Sequence, residues 1–180
     1  IGLTFRKAET YRLDCVVDAN HAREEHSSGH GRCRSRSGGA IIALMATVHA
    51  FSTVQKATAL STFEAELYAL VLAVRTLLAM RNLTEFVLNT SLPCSDVSCD
   101  NQATIDHFIK RVWTARSRHI KVHLGFLYDA LDAGLIRIIH RPTHLNEADT
   151  FTKAQDAPTF LRSLIQLAGL PQDYQLPTKK

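Results

Sequence analysis

The chain has 180 residues and a mass of 20.0 kDa, the size of one domain with room for a substantial core. A hydrophobic content of 46% with 21% charged residues excludes a disordered chain, and no run approaches the roughly 20 apolar residues that a membrane-spanning helix needs. A net charge of +4 and a pI of about 9.0 bias the surface toward polyanionic partners.

The N-terminus, IGLTFRKAET, lacks the basic, apolar and small-residue order of a secretory leader. It begins with Ile, so residues 1–10 read as a lead-in within a longer product. Residues 11–18 alternate and predict a strand with Leu13, Cys15 and Val17 on one face and Asp18 at its end. Residues 21–37, HAREEHSSGHGRCRSRS, hold no aliphatic side chain larger than alanine and read as an Arg/His-rich loop insert that touches phosphate. The spacing of His21, His26, His30 and Cys33 within it matches no familiar zinc pattern. Cysteines 15, 33, 94 and 99 are irregularly spaced, which indicates reduced thiols in an intracellular protein.

Residues 38–45 and 49–55 read as two strands joined by a short turn without the usual Gly or Asn. Residues 60–78 are the clearest helix, with apolar residues recurring every three or four positions, Ser61 or Thr62 as its cap and Asn82 beyond its end. Glu64 and Glu66 flank its apolar stripe on opposite sides, each roughly 80° from the centre. Periodicity does not choose between them.

An irregular stretch over 86–95 precedes a short strand at 96–100 that ends in Asp100. A helix over 101–111 follows, with Ile105, Phe108, Ile109 and Val112 at helical spacing. A second helix over 117–133 is stopped by Gly134. Residues 135–140 form the last strand, 147–170 a helical stretch interrupted at Pro158, and 171–180 a polar tail. This order predicts an α/β fold, a mixed sheet flanked by helices, over residues 11–170.

Asp18, Asp100 and Asp149 each stand at or beyond the carboxyl end of a predicted strand, and a fourth acid stands on the long helix. Isolated carboxylates in that placement suggest a metal site. With Asp18, Glu66, Asp100 and Asp149 withdrawn to it, 21 bases face 13 remaining acids. A negative pocket in a positive surface suits a nucleic-acid backbone.

Four motifs carry a resemblance to a known family. They are LSTFEAELYAL at 60–70, CDNQATI at 99–105, RSRHIKV at 116–122 and NEADTFTK at 146–153. In this order they resemble the ribonuclease H domain of copia-type retrotransposon polyproteins, from about Cys15 to Lys153. The resemblance implies a ribonuclease H-like fold with a five-stranded mixed sheet, and a metal-dependent endonuclease that cuts the RNA strand of RNA/DNA hybrids during reverse transcription. It implies catalytic, metal-binding acids at Asp18, Glu66, Asp100 and Asp149, and so selects Glu66 over a solvated Glu64. The implied cofactor is two Mg²⁺ ions, for which Mn²⁺ can substitute, set roughly 4 Å apart about the scissile phosphate. His144 falls where many ribonucleases H place a loop histidine that helps protons or product leave.

Asn101 and Gln102 follow Asp100 at a helix N-terminus, where donors suit phosphate and 2′-hydroxyls. Arg116, Arg118 and Lys121 are candidates for phosphate contact. Implied partners are the hybrid, an upstream reverse transcriptase domain of the same polyprotein and a larger ribonucleoprotein assembly, without a membrane. The implied compartment is the cytoplasm, within a virus-like particle, or the nucleus. His21 stands where the family usually has Trp, and Thr53, Val54 and Gln55 replace its Lys-Lys-Gln. Those departures admit an alternative, a domesticated and inactive module that serves as a structural or RNA- and protein-binding component.

Overall fold

The computed structural model describes residues 2–7, 10–24, 33–111, 120–171 and 173–174. Among them are five strands: β1 (Leu13–Glu24), β2 (Arg34–Ala43), β3 (Ala46–Val54), β4 (Ser95–Cys99) and β5 (Ile136–His140). The helices are α1 (Thr62–Leu88), α2 (Gln102–Lys110), α3 (Lys121–Asp132) and α4 (Ala157–Leu167). The strands form one mixed sheet in the order β3-β2-β1-β4-β5. Close connections make β1, β2 and β3 antiparallel, whereas the helical crossovers into β4 and β5 make those two parallel to β1. No helix among the described residues is long and apolar enough to cross a membrane.

The alternation in β1 covers both faces. Leu13, Cys15 and Val17 pack into the main core with Leu67, Leu70, Val74 and Leu77 of α1 and Leu124 and Leu127 of α3. Val16 faces the other way, against Ala40, Ala148 and Leu167. A central strand buried on both sides is the rigid floor from which the site is built.

Several boundaries differ from the sequence reading. β1 does not end at Asp18, because Asn20 and Glu24 pair with Arg36 and Arg34 across a bulge that holds Ala22 at φ 54°. The expected loop over 21–37 therefore contributes its flanks to β1 and β2, and residues 25–32, with His26 and His30, lie outside the described residues. The β2–β3 turn is Leu44–Met45, and β3 starts at Ala46 rather than His49.

The long helix does not stop at Asn82. Arg81 is 3% exposed and donates to the carbonyls of Leu92 (2.9 Å) and Pro93 (2.6 Å) and to Ser95 Oγ (2.9 Å), so the helix must run on to hold the following loop. It ends at Asn89, a left-handed cap. Ile109, expected on the buried stripe of α2, is exposed, and Val112 lies outside the described residues. Pro158 does not interrupt a helix: it sits in the first turn of α4, capped by Asp156. Residues 2–7, read as a lead-in, run along the domain, with the Thr4 N–H on the Ala168 carbonyl (2.8 Å) and that of Arg6 on the Leu44 carbonyl (3.0 Å).

The two-residue β2–β3 turn places Leu44 at φ 50° and Met45 at φ 71°. Positive φ at both central positions is the geometry that Asn-Gly adopts at least cost. The double variant Leu44→Asn/Met45→Gly is expected to stabilise the domain by about 1 kcal/mol, read as a raised urea midpoint; an unchanged or lowered midpoint contradicts the turn assignment.

Candidate metal centre

Parallel register brings the first two acids together. Cys15 pairs with Val97 and Val16 with Ser98, so Asp18 and Asp100 stand level, two residues further along adjacent strands. Asp100 follows the last residue of β4. Asp149 arrives from the 3-10 turn Glu147–Phe151, which lies on the Val16 face of the sheet.

Four contacts seat that turn. Asn146 caps it, accepting the Ala148 N–H (3.3 Å) and donating to the Val17 carbonyl (3.3 Å). Asn20 Nδ2 donates to the Thr152 carbonyl (3.0 Å), and Ser52 Oγ to the Phe151 carbonyl (2.6 Å). Gly38, the cross-strand partner of Asp18, leaves the room: a Cβ there would lie 2.6 Å from Thr152 Cγ2 and 2.7 Å from Phe151 Cβ. The outcome is that carboxylate oxygens of Asp18, Asp100 and Asp149 all lie within 4.8 Å of one another.

Glu66 stands beside this trio rather than within that distance. It rises from α1 on the opposite face, where its Oε2 lies 4.0 Å from Cys99 Sγ. Strand alternation explains the offset, since Val17, Val97 and Cys99 face α1 while Asp18 faces the turn. Burial, with Asp18 and Asp100 adding repulsion, pushes the Glu66 carboxyl up to about 9. Burial likewise raises Asp149 to about 6, with Lys153 opposing the rise and Asp18 and Asp100 adding to it. Asp18, 3% exposed, is raised by burial, while the Thr152 hydroxyl, donating in a close hydrogen bond, and Lys153 pull it back.

The donor set fits a hard divalent cation, which prefers carboxylate oxygen. A contrast within the same two strands supports this. Asp14 and Asp96, lower on β1 and β4, are answered by guanidinium groups: Arg12 on both (2.8 and 2.6 Å) and Arg137 on Asp96 (2.7 Å). Among the described residues no guanidinium pairs with Asp18 or Asp100, and the ammonium at the cluster, that of Lys153, lies 3.0 Å from Asp149 Oδ1. One ammonium among three clustered carboxylates leaves negative charge that a cation would balance.

The remaining described candidates have other contacts or stand exposed. Glu64, read as a solvated neighbour, is instead 4% exposed and accepts from the Leu60 N–H (2.8 Å) and the Tyr68 hydroxyl (2.6 Å), closing the start of α1. Asn101 caps α2, its Oδ1 accepting from the Thr104 N–H (3.0 Å), and Gln102 Nε2 donates to Asp106 (2.7 Å). Lys121 opens α3 and is exposed; Arg116 and Arg118 lie outside the described residues. His144 is exposed in the short turn Thr143–Leu145. His21 Nε2 lies against the Ala59 carbonyl (3.3 Å), and Cys33 is free and exposed.

Thr152, Lys153, Asn20 and Asn146 were missed as contributors. Thr152, Lys153 and Asn146 sit inside NEADTFTK, and the Gly38-Gly39 pair marked the close approach.

No protein-family model matches the chain. In sequence it is 34% identical over 104 residues to the retrovirus-related Pol polyprotein from transposon TNT 1-94 of Nicotiana tabacum. That match covers 57% of this chain and 8% of the polyprotein, so the chain spans a small part of its curated relative. In structure it is similar to LC11-RNase H1 from a compost metagenome, with a TM-score of 0.56 and 16% identity over 78% of this chain and 92% of that one. The chain has a ribonuclease H-like fold. LC11-RNase H1 in complex with an RNA/DNA hybrid gives a TM-score of 0.55 at 16% identity, covering 78% of this chain and 94% of that one. The N-terminal ribonuclease H domain of Rv2228c from Mycobacterium tuberculosis also gives 0.55, at 11% identity over 79% and 91% of the two chains. The resemblance carried by the four motifs is thus matched by a retrotransposon polyprotein in sequence and by ribonucleases H in fold.

Within this ribonuclease H-like fold, Glu66 keeps its proton to about pH 9, whereas the unfolded chain releases it near 4.5. The unfolded state therefore binds fewer protons across that window, and stability of the metal-free protein falls as pH rises from about 5 to 9. The slope has an upper limit of about 1.4 kcal/mol per pH unit for one group. Thermal melts in a chelator across that range are expected to show the decline, and Glu66→Gln to flatten it; a pH-independent melting temperature in the parent chain contradicts the burial of Glu66.

Proposed function

We propose that the chain is a metal-dependent endonuclease that cuts the RNA strand of RNA/DNA hybrids during reverse transcription of a copia-type retroelement. The observation that carries this reading is the convergence of the Asp18, Asp100 and Asp149 carboxylates within 4.8 Å on a ribonuclease H-like fold.

In this reading Asp18, Asp100 and Asp149 hold Mg²⁺, with Mn²⁺ as a substitute, and Glu66 completes the acidic set from the α1 side. The bound cations supply an activated water and stabilise charge on the scissile phosphate and leaving oxygen. Thr152 keeps the Asp18 carboxylate aimed at the cluster through its hydroxyl. Asn101 is engaged through Oδ1 in capping α2, so its Nδ2 is the group left to meet substrate. Gln102 Oε1 serves as an acceptor for a 2′-hydroxyl, the group that separates RNA from DNA. Arg116, Arg118 and Lys121 contact backbone phosphate, in keeping with the basic charge outside the site. His144, exposed on the turn that leads into the Asp149 segment, helps protons or product leave.

The similarity to a Pol polyprotein supports an upstream reverse transcriptase domain as the natural neighbour, and the LC11-RNase H1 complex supports a hybrid as the substrate. Residues 11–170 are the proposed catalytic domain, with 1–10 and 171–180 as its flanks.

A 5′-labelled RNA strand annealed to DNA is expected to be cut internally in Mg²⁺ or Mn²⁺, leaving 3′-hydroxyl ends, and to stay intact in a chelator. Asp100→Asn is expected to lower the rate on the order of 10³-fold without loss of the folded circular dichroism spectrum. A folded protein that leaves the hybrid intact in both cations rejects the nuclease and favours a non-catalytic module.

A further inference from the structure

The ammonium at the edge of the carboxylate cluster, paired with Asp149, has no part in the chemistry above. Lys153 follows the Asp149 turn, with its backbone N–H on the Asp149 carbonyl at 3.0 Å. Its side chain folds back over that turn, placing Nζ 3.0 Å from Asp149 Oδ1 with the side chain 33% exposed. A lysine of this length, four residues from its partner at the surface, would ordinarily extend into water and gain little from the pair. Here the side chain stays against Asp149, whose carboxylate lies within 4.8 Å of those of Asp18 and Asp100, so the ammonium faces the charge of a cluster rather than of one acid.

A divalent cation bound by the same oxygens would compete with this ammonium for the Asp149 lone pairs and repel it. An ammonium has no open coordination shell with which to share the oxygen as a second metal ion can, so at contact distance it meets the bound cation as a bare like charge. We propose that Lys153 is a tethered counter-ion of the metal centre: its ammonium neutralises the Asp18, Asp100 and Asp149 cluster in the metal-free protein, and leaves the Asp149 carboxylate when a divalent cation is taken up. This rests on the metal-centre reading of the site and adds a positioning residue to it. The exposed third of the side chain gives the ammonium a path to solvent, while the Thr152 hydrogen bond keeps Asp18 in place after it has left. The consequence is an exchange: the fold tolerates the metal-free state, and the cation binds less tightly than three clustered carboxylates would otherwise allow.

The test uses Mn²⁺ as the probe on the 180-residue chain. Calorimetric titration is expected to show Mn²⁺ binding roughly tenfold tighter to Lys153→Met than to the parent chain, with Lys153→Arg close to the parent. In a chelator Lys153→Met is expected to melt at lower temperature, and saturating Mn²⁺ to close that gap, a rescue that loss of mere packing would not show. Affinity that is unchanged or weaker in Lys153→Met overturns the counter-ion role and leaves the metal centre standing. Absence of Mn²⁺ binding to the parent chain overturns both.

Should Lys153→Met fail to fold, the parent chain decides the matter through amine acylation read by mass spectrometry. Lys153 reactivity is expected to rise several-fold on Mn²⁺ addition, measured against the exposed Lys56 and Lys110; no rise overturns the proposal.

Discussion

Like charges held close in a partly dry place are the constraint on which this structure turns. Asp18, Asp100 and Asp149 would separate if each were free, since carboxylates within 4.8 Å repel strongly outside bulk water. They stay together because each is borne by an element that packing has already placed. Val16 and Val17 lock β1 between two apolar layers, parallel pairing sets β4 level with it, and the Asp149 turn is nailed to β1 by Asn146 and Asn20 and to β3 by Ser52. Burial first, and the repulsion that remains second, raise the proton affinity of Asp18, Glu66 and Asp149, and the Lys153 ammonium is drawn in against Asp149.

The sheet's mixed topology serves that arrangement. An antiparallel neighbour, β2, brings Gly38 beside Asp18 and clears space for Thr152. A parallel neighbour, β4, points its carboxyl end the same way as β1 and so delivers Asp100. Helix α1 approaches from the other face, which sets Glu66 apart from the trio while leaving it within electrostatic reach of Asp18 and Asp100. Two kinds of acidic group result: three carboxylates grouped for a cation, and one carboxyl against Cys99 that burial pushes up to about 9.

Much of the framework was legible from pattern. The positions of all five strands, the long helix and the stop at Gly134 follow from periods of two and about 3.6 and from turn residues, because those depend on local geometry. Errors fell where partners distant in sequence decide. Arg81 extends α1 because it must reach carbonyls beyond the helix, and no residue near Asn82 announces this. The flanks of the Arg/His segment become strand because each finds the other to pair with, although their composition reads as loop. Glu64 is buried since its two oxygens close the start of α1, a role that a glutamate's charge conceals.

By itself the amino-acid order determined an α/β domain with a net basic charge, and it determined that Asp100 and Asp149 stand beyond strand ends, though not that β1 runs on past Asp18. Spacing along the chain is enough for that, as each strand and helix bears its own period. The tertiary structure alone decided which carboxylates meet: Asp18, Asp100 and Asp149 on one face, with Glu66 reaching toward them from the other. It alone brought Thr152 and Lys153 into the cluster. The physical reason is that meeting depends on strand register, on the alternation of sheet faces and on the space left by Gly38, and each of these arises only when segments far apart in the chain are packed together.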